Sequence, residues 1–395
     1  MGDRFSGSIV TAAIAAAAAS AAMSVSVTPT HAQAPAASGA APTTPWGEPD
    51  LQGIWTDEFD TPLQRSAKYA TQEFFTEAQR AELDTVRSGI LGRFATEREI
   101  NGAYNAATFF STKRTGARTS KIVDPPNGRT PPLTPEAQKT AAAERDYRLA
   151  LLQSTDTCKK MQPGCAGGKY EPTTSPRRAE TPPRYNTGRL NRDDGPEDSS
   201  LAVRCLTLGL PEFGGATGSF RRIVQTPGGI SMFYDVGQGQ GWQRNIVMDG
   251  RPHLPAGIRQ WFGDSRGRWE GNTLVIDVTN FSPKTDYQGS RENLHLVERW
   301  TRTGPRTLAY EVTIEDPTVW TRPWIVKQEF SRQSDEENRL YPEPRCHEGN
   351  YGLPGLLKGR RVEDVAFAEG RGPDPASRDG TGALIDAEVP QDPLQ

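Results

Sequence analysis

The strongest chemical signal in the sequence is a glutamate on an otherwise apolar face of a predicted β-hairpin. Segments 294–302 and 307–315 alternate apolar and polar residues, a pattern typical of half-buried strands, and a short Gly-Pro turn joins them. Pairing Trp300 with Leu308 places the apolar residues of both strands on one face, whereas a slip of one residue would mix the two faces. We therefore expect Glu298 to lie on the apolar face.

In this register Glu298 lies directly across from Tyr310. A carboxylate among Leu, Val and Trp side chains loses hydration, which disfavours its charged form and suits it to exchange protons near neutral pH. The sequence thus predicts Glu298 as a catalytic acid or base, with Tyr310 as its hydrogen-bond partner. The alternative is that Glu298 bonds a loop backbone or pairs with an arginine, which would make it structural. On the polar face, Arg299 and Glu311 are expected to form an exposed ion pair.

Three of the four histidines, those beyond residue 34, are the other candidates for proton transfer. His253 and His347 lie in predicted loops, and His295 lies on the polar face of the first hairpin strand. Each could act as the second acid–base group or bind substrate, and otherwise each is an ordinary packed or surface histidine. A metal site is disfavoured because no two of them have the spacing of helical or hairpin ligands. Asp277, on the polar face of another strand, is expected to be solvated.

The composition of the chain and its N-terminal segment disfavour some classes of function and indicate where the protein is located. The chain of 395 residues has a formal net charge of −3, which disfavours nucleic-acid binding. Residues 1–34 resemble a secretory signal peptide, with an Ala-rich run and small-residue cleavage sites after Ala32 or Ala34. An uncleaved membrane anchor is the alternative, because that run is nearly long enough to span a bilayer. We expect a periplasmic or secreted protein without stable membrane insertion after cleavage. Nucleotide, haem and phosphate-loop motifs are absent from the sequence, so no cofactor and no metal are expected.

Export changes how the four cysteines are interpreted. An even number of cysteines in an oxidising compartment favours disulfides, and three pairings are possible. Cys158 and Cys165 flank a Pro-Gly loop and would close a small ring, which leaves Cys205 to pair with Cys346. A metal site that includes His347 is the alternative, although the spacing matches no zinc template.

The remaining pattern predicts a mainly β protein. Thr76 with Gln79, and Thr134 with Pro135, are typical starts of helices, the second running to about Leu152. Residues 118–124 are a possible strand, and 154–196 are expected to form a long loop. Period-two segments then follow at 220–226, 230–236, 242–248, 258–262, 268–270, 273–280, 294–302, 307–315 and 324–332.

Such a meander, rich in turn residues, would close into an antiparallel β-barrel or tight sandwich of lipocalin-like type, which removes exposed strand edges. The expected organisation is a linker at 35–45, an N-terminal arm with two helices and a long loop at 46–200, the barrel at 201–365 and a disordered tail at 366–395. The helical and loop-rich N-terminal half would pack on the barrel.

Six longer motifs support a resemblance. They are PDLQGIW at 49–55, DGRPH at 249–253, DSRGRWEGNTLV at 264–275, ENLHLVER at 292–299, WTRPW at 320–324 and CHEGNYG at 346–352. Together they resemble a family of secreted bacterial proteins, over nearly the whole mature chain. The resemblance implies an exported protein with one folded body. It supplies no reaction and therefore no catalytic roles.

The expected function is an exported, cofactor-independent acid–base enzyme, such as a lyase, isomerase or hydratase. It would act on a small apolar or aromatic molecule in a barrel pocket, with Glu298, Tyr310, His253, His295 and His347 as the candidate catalytic residues. The first alternative is a lipocalin-like small-molecule binding protein without catalysis. A metal-dependent hydrolase is a weaker alternative, and a closed, dry barrel would favour a structural or interaction protein. The sequence leaves the oligomeric state open.

Overall fold

The protein is described by a computed structural model over residues 42–89, 113–185, 190–207, 209–213, 220–235, 241–334, 336 and 351–379. The strands in this part of the chain are β1 Gly53–Thr56, β2 Phe59–Asp60, β3 Arg114–Thr115, β4 Ile122–Asp124, β5 Phe220–Thr226, β6 Gly229–Asp235, β7 Gly241–Val247, β8 Asp264–Glu270, β9 Thr273–Thr279, β10 His295–Arg302, β11 Thr307–Glu315 and β12 Trp324–Arg332. The α-helices are α1 Glu77–Ser88, α2 Pro135–Leu152, α3 Asp156–Lys159 and α4 Gly352–Ala368. None of the described helices is both long enough and apolar enough to cross a membrane.

Nine of these strands form a closed β-barrel. The neighbours follow the order β1, β5, β6, β7, β8, β9, β10, β11 and β12, and β12 pairs back onto β1. Neighbouring strands are antiparallel except β7 and β8, which are parallel. Closure pairs the edges that an open sheet would leave exposed. The predicted mainly β, barrel-type fold is confirmed.

The N-terminal arm completes the barrel, which the sequence assigned to residues 201–365. Strand β1 pairs with β5 on one side and with β12 on the other. Its residue Trp55 is fully buried, and the indole Nε1 donates to the carbonyl oxygen of Leu51 at 2.9 Å. The guanidinium of Arg302 lies over the Trp55 ring at 5.6 Å from its centroid. A four-residue strand is too short to show period-two alternation, so the pattern placed it outside the barrel.

The β10–β11 hairpin has the predicted faces but a different register. Trp300 pairs with Tyr310, not with Leu308, and Glu298 pairs with Val312. The cause is the turn: the backbone N–H of Thr303 donates to the carbonyl of Thr307 at 3.1 Å, which leaves residues 304–306 as the loop. The shift is two residues, and because side chains alternate with period two, every residue stays on its predicted face.

The predicted ion pair between Arg299 and Glu311 is wrong. The two residues lie directly across from each other. Nevertheless Arg299 pairs with Glu270 at 2.9 Å, and Glu311 pairs with Lys327 at 2.8 Å. Glu270 ends β8, two strands away from Arg299, and Lys327 lies on β12, the other neighbour of the strand that carries Glu311.

The two predicted helices are confirmed, whereas one predicted strand and one predicted loop are corrected. Thr76 caps α1 together with Gln79, and α2 begins at Pro135 as expected. The expected strand at 258–262 is absent from this described segment, where only Gln260 forms an isolated bridge. The expected loop at 154–196 contains α3 and short 3-10 helices, at Pro163–Cys165, Pro176–Ala179 and Pro196–Asp198.

The beginning of the expected disordered tail is ordered. Helix α4 extends to Ala368, and residues 375–377 form a 3-10 helix. The carbonyl of Arg378 accepts a hydrogen bond from Asn191 at 3.0 Å, so this part is fixed onto the N-terminal half. Residues 380–395 lie outside the described part.

The small disulfide is confirmed. Cys158 and Cys165 are bonded, with their Cα atoms 5.1 Å apart, and both are fully buried. Cys346 lies outside the described residues, so the Cys205–Cys346 pair stays a prediction. His347 lies outside them as well.

Replacing Trp55 with alanine tests whether the N-terminal arm holds the barrel closed. We expect Trp55→Ala to lower the free energy of unfolding by about 3–5 kcal/mol, because it removes a large, fully buried side chain from the closing strand. Denaturant unfolding followed by circular dichroism measures this. The control is Trp46→Ala, since Trp46 is exposed, and its effect should stay within about 0.5 kcal/mol. Equal effects of the two changes would contradict the closing role of β1.

Candidate functional site

Glu298 lies inside the barrel in a hydrogen-bonded trio with Arg244 and Tyr310. The hydroxyl of Tyr310 donates to Glu298 Oε1 at 2.8 Å, and Arg244 Nη2 donates to Glu298 Oε2. The side chains of Glu298 and Arg244 are each only 1% exposed. Arg244 reaches Glu298 across the interior, because β8 and β9 separate β7 from β10. The sequence identified Tyr310 as the partner and left the arginine unnamed.

The trio is enclosed by aromatic rings and a second arginine. Trp300 packs on Tyr310 with ring centroids 4.2 Å apart, and on Phe330 at 5.7 Å. The guanidinium of Arg221 lies 4.1 Å from the centroid of Phe330 and pairs with Glu212 at 2.6 Å. The trio therefore belongs to a packed interior, and neither oxygen of Glu298 is directed at solvent.

The protonation states suit a permanent salt bridge. Burial raises the pKa of Tyr310 well above its ordinary value, and the neighbouring Glu298 carboxylate raises it further. Burial by itself would lower the pKa of Arg244, but the attraction of Glu298 prevails and the pKa is raised. Tyr310 therefore remains a donor and Arg244 remains a cation. The arrangement matches the structural alternative for Glu298, that of pairing with an arginine.

A second constellation lies on the outer face of the barrel around His253. This residue, on the loop between β7 and β8, directs Nδ1 to Asp264 Oδ2 at 2.7 Å and Nε2 to Asp277 Oδ1 at 3.1 Å. Asp264 is buried, and it also accepts from the backbone N–H of Leu254 at 3.1 Å and pairs with Arg266 at 3.1 Å. A buried carboxylate that is fixed in this way sets the orientation of the imidazole ring.

The same constellation includes His295, another of the three predicted histidines. Its Nε2 lies 3.2 Å from the same Asp277 oxygen, and its Nδ1 lies 3.4 Å from Glu315 Oε2. The hydrogen bond to Asp277 raises the pKa of His295 above its ordinary value, although partial burial opposes this rise. The same bond lowers the pKa of Asp277, again against partial burial. Asp277 is therefore a shared partner of two imidazoles, whereas the sequence pattern indicated only a solvated carboxylate.

We call this chain of Asp264, His253, Asp277, His295 and Glu315 the histidine chain. Alternation along β8 to β11 places its four strand residues on one outer face, and the loop adds His253. Side-chain exposures of 28% for His253 and 34% for His295 leave both rings accessible. Within the described residues, no group of three or more His, Cys, Asp or Glu has an arrangement that could hold a metal ion. Because both accessible imidazoles are hydrogen-bonded to carboxylates, the histidine chain can hold and exchange protons.

A groove lies where α2 meets the loops at one end of the barrel. It has a volume of about 540 Å³ and lies between α2, the loop from β9 to β10 and the turn after β11. The apolar part of its lining includes Leu133, Ala137, Ala141, Pro283 and Val319. The charged part consists of Glu136, Glu144, Arg184, Arg291, Glu292 and Asp316. Sequence reasoning missed this groove, because its walls come from segments that are distant in the chain.

Comparisons with known proteins provide no evidence about the function of this chain. No protein-family model matches the chain, and no curated protein matches it. One similar solved structure is that of a secretary abundant heat soluble (SAHS) protein from Ramazzottius varieornatus. It is 12% identical, the match covers 31% of this chain and 79% of that one, and the TM-score is 0.23. A similarity this low carries no argument about function.

Breaking the interior salt bridge tests its structural role. We expect Glu298→Gln to lower the free energy of unfolding by about 3–5 kcal/mol, because it leaves the Arg244 cation buried without a counter-ion. The double variant Arg244→Met/Glu298→Leu should recover most of this loss, since it removes both charges. Denaturant unfolding of the two variants makes the comparison.

The matched control is Arg299→Gln, which breaks the exposed pair with Glu270 and should cost less than about 1 kcal/mol. A Glu298→Gln protein as stable as the parent would show that the salt bridge is not structural.

The histidine chain predicts a measurable protonation equilibrium. The pKa of His295 should lie above its ordinary value and should fall in Asp277→Asn, because the bond to Asp277 is the largest cause of the rise. Since the folded pKa is raised, the protonated ring stabilises the fold below the unfolded pKa, and this contribution is lost as the pH rises through the folded pKa.

NMR titration of the imidazole C–H resonances measures the pKa, with His295→Gln for assignment. Glu315→Gln is the comparison and should lower the pKa less, since its contact at 3.4 Å is longer. An unchanged pKa in Asp277→Asn would contradict the shared hydrogen bond.

Proposed function

We propose that this chain is an exported small-molecule-binding protein whose ligand lies in the groove between α2 and the barrel-end loops. The observation that carries the proposal is the groove itself. Its volume of about 540 Å³ falls within the usual range for small-molecule sites, which is about 300–1,000 Å³. Apolar side chains with a few charged groups around them are also the usual composition of such sites.

The proposal follows the binding alternative because the interior trio does not support catalysis. A general acid or base must come within hydrogen-bond reach of its substrate. Both oxygens of Glu298 are occupied by Arg244 and Tyr310, and the side chain is almost fully buried. His253 and His295 are accessible, but they lie on the outer sheet face and do not line the groove. Acid–base chemistry at these two histidines stays a prediction.

Two features support an exported location. The Cys158–Cys165 disulfide is the kind of bond that persists in oxidising compartments such as the periplasm or the extracellular space. The N-terminal 34 residues resemble a secretory signal, although they lie outside the described part. The ligand would then be a molecule met outside the cytoplasm.

Blocking the groove tests the proposed function. The probe is N-phenyl-1-naphthylamine, a neutral fluorophore that brightens in apolar surroundings. We expect the protein to bind it and Ala141→Trp to abolish binding, because Ala141 lines the groove and an indole would fill it. Fluorescence titration gives the affinity.

The matched control is Ala143→Trp, two residues further along the same helix and outside the groove lining, which should bind the probe like the parent. No binding by the parent protein, or equal binding by Ala141→Trp, would overturn the proposal.

A further inference from the structure

We infer that the groove selects an organic cation, a small amine with an apolar body, over a carboxylate of the same shape. The inference rests on the proposed function, because it concerns the ligand of the same groove. It follows from which charged groups of the lining are already paired and which remain available.

The two arginines of the lining are occupied by partners of the protein itself. Arg184 pairs with Glu144 at 3.1 Å and donates to the carbonyl of Gly289. Arg291 pairs with Asp286 at 3.2 Å, and it also donates to the carbonyl oxygens of Tyr185 and Pro283. Burial lowers the pKa of Arg291, although the neighbouring Asp286 carboxylate opposes this change. An anionic ligand would compete with these partners for the guanidinium groups, and among the described donors of the two arginines Arg291 Nε is buried without a hydrogen-bond partner.

The carboxylates, in contrast, are in excess. Four of them line the groove, against two guanidinium groups. Glu136 and Glu292 are exposed and have no ion-pair partner among the described residues. Asp316 is buried, and its carboxylate accepts from the hydroxyl groups of Ser290 and Thr318 and from the backbone N–H of Thr318, with no ion-pair partner in the part of the chain that the structure describes. The charged groups of the lining that have no ion-pair partner among the described residues are therefore carboxylates.

Nearby cations reduce this excess without reversing it. Arg259 donates to the backbone carbonyl of Glu292 at 2.6 Å, and Lys284 lies over the Tyr185 ring at 5.2 Å from its centroid. Asp286 adds one more carboxylate beside the groove. The N-terminus of α2 contributes a partial positive charge of about half a unit near Glu136, less than the full charge of that carboxylate.

The apolar part of the lining determines the uncharged body of the ligand. Leu133, Ala137 and Ala141 come from the start of α2 and the residues before it, and Val319 faces them from the turn after β11. A flat apolar body would lie between these walls, with its ammonium group directed to Glu136 and Glu292. An ammonium group donates up to three hydrogen bonds and accepts none, which matches a site whose unpaired charged groups are carboxylates.

Three naphthalene compounds with one body and different charges test the inference. They are 1-naphthylmethylamine, 1-naphthylacetate and 1-naphthalenemethanol, and calorimetric titration measures their affinities at low and high salt. We expect the amine to bind about tenfold more tightly than the carboxylate, with the alcohol between them, because the same charges attract one and repel the other. High salt should narrow this difference.

The double variant Glu136→Gln/Glu292→Gln should weaken amine binding by about fivefold and leave the alcohol unchanged. Asp146→Asn removes one charge from an exposed position of α2 outside the groove lining and should leave all three affinities as in the parent.

The outcomes separate the two proposals. If the three compounds bind equally, or the carboxylate binds best, the charge preference is wrong and the binding function stands. If none of them binds, or Ala141→Trp leaves all three affinities unchanged, the groove is not a ligand site and the proposed function fails with it.

Discussion

The salt bridge between Arg244 and Glu298 is the constraint on which the interior of the barrel depends. Two full charges, each only 1% exposed, are stable in such a place only when they are paired with each other and supported by further hydrogen bonds. Tyr310 provides that support for Glu298, and its raised pKa keeps the hydroxyl protonated as a donor. Because the pair joins β7 to β10 across two intervening strands, it also specifies which strands face each other in the closed barrel.

Closure of the barrel is a second constraint, and it depends on strand β1 of the N-terminal arm. Strand β1 is short, yet it supplies the pairing that joins β5 to β12 and places Trp55 in the core. A barrel without β1 would present two unpaired strand edges to solvent. The N-terminal arm is therefore a part of the barrel. The groove depends on this arm indirectly, because the loops that line it extend from the closed barrel.

The sequence predicted what depends on local pattern. The caps of α1 and α2 and the faces of β10 and β11 follow from neighbouring residues, so all of these were predictable. The hairpin register was wrong by two residues, because it depends on how the turn at 304–306 closes, which alternation does not reveal.

The partners within the sites were less accessible to prediction. Arg244 and Glu298 are 54 residues apart, and Asp264, Asp277 and His295 come together only through the register of β8 to β10. Choosing Arg244 among the many arginines requires the strand order, which a single sequence does not contain. Predicting the groove would also require knowing how α2 packs on the loops at the end of the barrel.

Alternation along the strands explains why the ligand site should lie outside the barrel interior. One face of each strand is used for the core, where the buried arginines Arg244 and Arg221 are paired with Glu298 and Glu212. Polar side chains that reach solvent are left to the outer face and to the loops. The histidine chain lies where β8 and β10 begin and where β9 and β11 end, and the loops that leave β9 and β11 at this same end line the groove. A barrel that is packed inside therefore concentrates its accessible chemistry at one end, and a ligand of this protein would be recognised there by groups that the core does not use.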